Sequence, residues 1–159
     1  PRERYKRAET ANILLNAMFS EAGDFYLRML ESGLLSPGFD VGYSSNEKTA
    51  YVMMTGESDN PEMLLCEIKK HISKSIEEGI CKDDFEREKK CMYASYISDF
   101  DLTEDIAFSM NSYTWEGVDL FAYPDIIGEI KYEDVKELSL ELFKEEYFTL
   151  SVVAPQREE

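Results

Sequence analysis

The spacing of apolar positions changes period twice along this chain, and the changes divide it into helical and extended stretches. Ala11, Leu14, Leu15 and Met18 recur at three- and four-residue steps, which predicts a helix from about 7 to 20. Gly23 interrupts the pattern. A second helix carrying Phe25, Met29 and Leu30 follows, with Gly33 placed to end it in a left-handed cap. Between 37 and 57 the period falls to two: Phe39, Val41 and Tyr43 alternate with polar neighbours, then Tyr51, Met53 and Thr55 do the same. Asn46, Glu47 and Lys48 offer the turn between them. The pattern predicts an antiparallel hairpin over 38–45 and 49–57.

Helical spacing then returns. Asp59, Asn60, Pro61 and Glu62 supply an acceptor, a first-turn proline and a carboxylate three residues after Asp59, all signals of a helix start. Leu65, Ile68, Ile72 and Ile76 form the stripe of this helix, and Gly79 ends it. A further helix over about 82–98 opens with Asp83 and Asp84, suited to its positive dipole end, and carries Phe85, Met92, Tyr96 and Ile97. Asp101 and Glu104 have capping-box spacing before Ile106, Met110 and Tyr113, with Gly117 as terminator. A short helix over 119–130 tolerates Pro124 in its first turn, and Val135, Leu138 and Leu142 mark another. Residues 147–153, rich in β-branched and aromatic side chains, read as a closing strand. This order predicts an α+β fold, with several helices packed on one face of a small antiparallel sheet. Three strands make a thin sheet with an unprotected edge, so further strands are expected upstream of Pro1.

The length of 159 residues fits a single domain, 1–159, able to bury about 70% of its unfolded surface. There is no initiator methionine, and the first seven residues are mostly charged or polar, which suggests a cut through a longer polypeptide or a processed start. Thirty-three acidic against 17 basic residues give a net charge of -16. That balance argues against nucleic acid or an anionic membrane as partner. It serves solubility, or else creates a field favouring cationic peptides or a basic partner. No run approaches the ~18 apolar residues of a membrane span. Three cysteines, Cys66, Cys81 and Cys91, lack paired spacing and fit a reducing compartment, with a cytoplasmic location expected.

Candidate chemistry is sparse. His71 is the sole histidine, so neither H-x-x-E-H nor H-E-x-x-H can be written within the chain. Gaps of 15 and 10 residues between the cysteines match no common zinc finger, and His71 flanks an apolar stripe where a partly packed imidazole is expected. Cys81 falls at a helix start, where a small capping residue is the simplest reading. No G-x-S-x-G and no glycine-rich phosphate loop occurs. Asp99, Asp101, Glu104 and Asp105 are explained by helix capping. Tyr113, Trp115, Phe121 and Tyr123 read as core and rim.

A resemblance adds what spacing alone does not. NILLN at 12–16 with FYLRMLESGL at 25–34 is similar to the paired helices in the second half of insulinase/pitrilysin-type zinc peptidases. In the same order follow TGE at 55–57, PEMLL at 61–65, EEGI at 77–80, DFER at 84–87, GVDLF at 117–121, YEDV at 132–135 and LSVVAP at 150–155. The pattern covers nearly the whole chain and most resembles the bacterial processing-peptidase-like branch. The resemblance implies two similar halves enclosing a chamber, with an H-x-x-E-H zinc site in the first half. This chain would belong to the non-catalytic second half, with no catalytic or metal residue of its own. Zinc is then expected in the catalytic half of the parent, upstream, and the implied partners are that half (or a partner subunit) and a peptide substrate. The family often holds substrate through an Arg and a Tyr; by position Leu30 and Phe39 take their places, and neither supplies the polar contact. Asp40, Gly42 and Tyr43 of the hairpin are the other candidates for lining the chamber. The alternative implied by losing Arg and Tyr is a catalytically dead peptidase-like scaffold or peptide-binding module. An unrelated acidic binding module is a third class.

Overall fold

The computed structural model describes residues 1–101, 103–115 and 117–154. Helices α1 (Arg2–Phe19) and α2 (Asp24–Glu31) lead into strands β1 (Asp40–Ser45) and β2 (Ala50–Thr55). Then come α3 (Pro61–Glu78), α4 (Lys82–Ser98), α5 (Thr103–Trp115), α6 (Tyr123–Glu129) and α7 (Tyr132–Leu142). Single 3-10 turns stand at Leu120–Ala122 and Glu145–Tyr147. The fold is α+β, a two-stranded antiparallel sheet with helices against one of its faces.

α1 is the hub. It packs against α2, β1, α4, α6 and α7. Ala11, Ile13, Leu14 and Leu15 are almost completely buried, and Met18 and Phe19 nearly so. The Thr10 hydroxyl, buried among them, donates to the Lys6 carbonyl at 2.7 Å and so is not left unpaired. Around α1 the core continues through Phe25, Met29, Ile68, Ile72, Phe85, Ile130 and Val135. A second, tyrosine-rich cluster joins Tyr96, Leu120, Tyr123 and Ile127, with Tyr5 and Tyr113 leaning on it.

The helix begins at Arg2, five residues before the apolar pattern does. Basic side chains in its first turns oppose the helix dipole, and acids on α6 and α7 offset this. Arg2 meets Glu129 at 2.7 Å, Lys6 meets Asp134 at 3.1 Å and Arg7 meets Glu141 at 2.9 Å. Burial alone would push the Asp134 carboxyl up. The Lys131 N–H and the Lys6 ammonium overcome that and hold it below the usual carboxylate range. These long-range pairs are invisible to helical periodicity.

Most of the expected caps form. Gly33 adopts φ +71° after α2; its N–H donates to Leu30 O and the Leu34 N–H to Met29 O, the paired bonds of a Schellman end. At α3 the cap falls on Asn60, not Asp59: Pro61 occupies the first turn, and Asn60 Oδ1 accepts from the Met63 N–H at 3.1 Å. α5 opens at Thr103, two residues after Asp101, and Leu102 between them lies outside the described residues.

Two expectations fail for want of a partner surface. The closing strand over 147–153 is not a strand. Tyr147 ends a 3-10 turn, and Phe148 is extended in backbone but pairs with no β-strand among the described residues. Its ring tucks beneath Lys69, whose Nζ lies 5.0 Å from the centroid, while Val153 is 97% exposed. Pro155 of the LSVVAP segment lies outside the described residues. The apolar stripe of α5 also finds little to cover it. Tyr113 is half-buried and Met110 exposed, and Trp115 and Phe121, expected in core or rim, stand in solvent. No helix among the described residues is long and apolar enough to cross a membrane.

Gly79 ends α3 at φ +79° and ψ 159°, a region open to glycine and closed to other residues. A Cβ there would lie 2.8 Å from the Tyr132 hydroxyl, itself held by a 2.8 Å bond to the Ile80 carbonyl. Gly79→Ala is therefore expected to lower unfolding stability by about 2–3 kcal/mol in urea denaturation. Adding Tyr132→Phe should recover only part of this loss, because the backbone strain remains.

Candidate functional site

The hairpin presents an outward face built from two paired strands. Its turn is fixed by Asn46, whose Oδ1 accepts from the N–H groups of Lys48 at 2.9 Å and Thr49 at 3.0 Å. The Asn46 N–H donates to the Thr49 carbonyl at 2.9 Å. The register pairs Asp40 with Thr55, Val41 with Met54, Gly42 with Met53, Tyr43 with Val52 and Ser44 with Tyr51. Since side chains alternate, this register sorts the hairpin into two unlike faces. Val41, Tyr43, Val52 and Met54 turn inward and pack on the core. Asp40, Gly42, Ser44, Tyr51, Met53 and Thr55 form the other face.

That outward face is apolar at its centre and polar at its ends. Tyr51 and Met53 are 52% and 56% exposed. Gly42 lies directly opposite Met53, and nothing stands within 4 Å of where a Cβ would be. The missing side chain leaves a shallow slot beside the thioether, rimmed by Asp40 and Thr55. Such a face can take an apolar side chain by shape, and its rim can accept hydrogen bonds.

The five residues singled out from sequence do not converge. Asp40 and Gly42 share the outward face. Tyr43 points to the other side, where its hydroxyl lies by the Arg7 guanidinium. Phe39 is buried and meets Phe19 edge-on at 6.4 Å; a Cβ on Gly56 would come within 3.0 Å of its ring. Leu30, in the last turn of α2, is half-buried against the same core. Both side chains are committed to packing. Tyr51 and Met53 were missed as site residues, yet their signal was present: the alternation that predicts β2 fixes their face once the register is known.

His71 lies on α3 with its ring stacked on Phe25 at 4.5 Å and edge-on to Phe19 at 5.4 Å. Its Nε2 is 2.8 Å from the Met18 carbonyl, so Nε2–H donates and the last buried turn of α1 gains a partner. Burial is the largest influence on the imidazole and lowers its pKa; the bond to Met18 opposes this, and the Arg28 and Lys74 charges add to the lowering. Cys66, Cys81 and Cys91 are free and exposed; Cys81 stands at the start of α4 without making a capping bond. Among the described residues no three His, Cys, Asp or Glu side chains converge as metal ligands. A zinc ion needs three or four such donors at one point, and a single imidazole wedged between two phenylalanines does not fit one.

No family model matches the chain. It is 21% identical over 155 residues, 98% of its length, to an uncharacterised zinc protease, YmfH, of Bacillus subtilis. The chain spans 36% of that relative's length. Among solved structures, a protein assigned as an M16-like peptidase from Alicyclobacillus acidocaldarius superposes with a TM-score of 0.77 at 22% identity, covering 88% of this chain and 34% of the other. A protease from Helicobacter pylori superposes at 0.72 with 17% identity, covering 87% and 35%. The inactive peptidase domain of a protein assigned as a zinc protease from Bordetella parapertussis superposes at 0.70 with 16% identity, covering 99% and 87%.

With one histidine in the chain, its titration is directly observable by proton NMR, and its pKa is expected below the ordinary 6.5. The neutral ring is the folded form, so its contribution is complete above about pH 6.5. It is lost as pH falls from there towards the folded pKa, because the unfolded chain binds the extra proton. Urea midpoints should therefore fall between pH 7 and 5.5, and His71→Gln should flatten that slope.

Proposed function

We propose that this chain, insulinase/M16-type peptidase-like in sequence and fold, serves as a non-catalytic wall of the substrate chamber in a larger zinc endopeptidase acting on peptides. The observation that carries this reading is the fate of its sole imidazole. In a chain that aligns along 98% of its length with a zinc protease, His71 is stacked on Phe25 and bonded to Met18 O as part of the core. The chain supplies no set of donors for the metal, which would be held by a catalytic half in the same protein or a partner subunit. What it offers a peptide is the outward hairpin face, where Tyr51 and Met53 flank the space above Gly42. The two-stranded sheet has open edges, and strands from the rest of the polypeptide would complete it. Three free thiols support a reducing, cytoplasmic setting.

A second reading, a catalytically dead scaffold, is favoured by the packing of Leu30 and Phe39 into the core. Neither remains to hold a substrate in the manner the family resemblance implies.

The test compares the isolated chain with the longer polypeptide that contains it, on a quenched fluorescent peptide. The chain alone should hold no stoichiometric zinc and cleave nothing. The longer protein should cleave, lose activity to a chelator and regain it with zinc. Within it, Met53→Asp should raise KM about fivefold with kcat within twofold, as expected for a contact made equally in ground and transition states. One zinc per isolated chain together with turnover would overturn the proposal. A longer protein that binds the peptide without cleaving it would establish the scaffold instead.

A further inference from the structure

A groove of about 380 Å3 runs between α1 and α4, closed at one side by α5 and α6, and it shares no residue with the hairpin face. Its α4 wall is a stripe of residues at three- and four-residue steps from Glu88 to Asp99, so its length along the helix is about 16 Å by the helical rise. Each end carries a carboxylate. Glu88, only 12% exposed in its side chain, also meets Arg87 at 3.3 Å. Asp99 is exposed at the C-terminal end of α4, and none of the lining residues is basic.

Between these ends the walls are soft and aromatic. Met92 and Tyr96 lie midway, with Tyr113 and Tyr123 facing them. The Tyr96 and Tyr123 rings stand 5.2 Å apart, and Tyr113 meets Tyr123 edge-on at 5.4 Å. Both Tyr113 and Tyr123 have hydroxyl pKa values raised by burial and then by the nearby Glu9 carboxylate, so both stay protonated well into the alkaline range. The α1 wall presents Asn12 and Asn16. The Asn12 amide nitrogen donates one hydrogen to Glu9 at 3.1 Å and keeps a second, beside an oxygen that can accept. The groove offers carboxylates at its ends and uncharged polar and aromatic groups between them, inside a chain of net charge -16.

We propose that this groove binds a linear organic polycation: alkylammonium groups joined by methylene spacers, its terminal charges at Glu88 and Asp99 and its stem along Met92 and the tyrosine rings. Carboxylates at both ends recognise the ammonium groups by charge-assisted hydrogen bonds. The exposed edges of the tyrosine rings and the thioether accept the methylenes. The same chemistry occurs in a free polyamine and in paired lysine side chains of a basic peptide.

Cys91 lines the groove and reports on its occupancy, while Cys66 and Cys81, also exposed, lie outside it and serve as internal controls. The rate of alkylation by iodoacetamide would be followed at each cysteine by mass spectrometry. The chain would be held in low salt with spermine, putrescine, an acetylated Lys-Gly-Lys amide or tetraethylene glycol. Spermine should slow Cys91 at least severalfold and leave Cys66 and Cys81 unchanged. Putrescine, too short to span both carboxylates, should protect weakly, and the neutral glycol not at all. Asp99→Asn and Glu88→Gln, checked for unchanged thermal melting, should each weaken protection by about fivefold. Stronger protection by the Lys-Gly-Lys amide than by spermine would make a basic peptide the source. Equal slowing of all three cysteines, protection by the glycol, or no change at Cys91 would each overturn the proposal.

Discussion

Everything in this molecule is arranged around one helix whose C-terminal half is largely buried. From Thr10 to Phe19, α1 is enclosed by the hairpin, α2, α4, α6 and α7, so five elements take their positions from a single apolar rod. Where α1 is buried it must still account for its polar groups, and it does so at two points. Thr10 bonds back along the helix, and the Met18 carbonyl, near the end where intrahelical partners run out, receives His71 from α3. The one imidazole in the chain is thereby explained by helix termination, and its ring completes the packing between Phe19 and Phe25.

Periodicity revealed much of this and nothing of the rest. The hairpin, the glycine ends at Gly33 and Gly79 and the start of α4 were legible because each is a local event: alternation, a positive φ, acids in a first turn. The insulinase-type resemblance was legible in the order of many weak segments. Three features were hidden because they depend on what lies across space. The first turns of α1 are helical through ion pairs to acids more than 120 residues away. The segment after Tyr147 has strand-like residues but no strand to pair with among the described residues, and the apolar stripe of α5 is only partly covered. For the candidate site the limit was register. Alternation told which residues share a face, but only the pairing of Gly42 with Met53 showed which face lies open, and it separated Tyr43 from Asp40 and Gly42.

The acidic surplus is likewise distributed with some purpose. Glu129, Asp134 and Glu141 hold the basic start of α1, whereas Glu88, beside Arg87, and Asp99 face a groove lined by no basic residue. The hairpin face is nearly neutral by comparison, with Asp40 at its rim and apolar side chains at its centre. Two surfaces of different chemistry therefore coexist on one small scaffold, one fitted to apolar side chains and one to positive charge.

The enclosure of α1 has a kinetic consequence. Arg7 and its partner Glu141 are 134 residues apart in the chain, and α6 and α7, which cover the helix, are among the last elements to be made. At ribosomal rates of 5–20 residues per second, an apolar helix would wait roughly 7–27 s for the elements that shield it. Non-local closure of this kind slows folding and leaves sticky surface uncovered meanwhile. Early collapse of α2 and the hairpin can cover only the part of α1 they touch; the rest waits for α6 and α7.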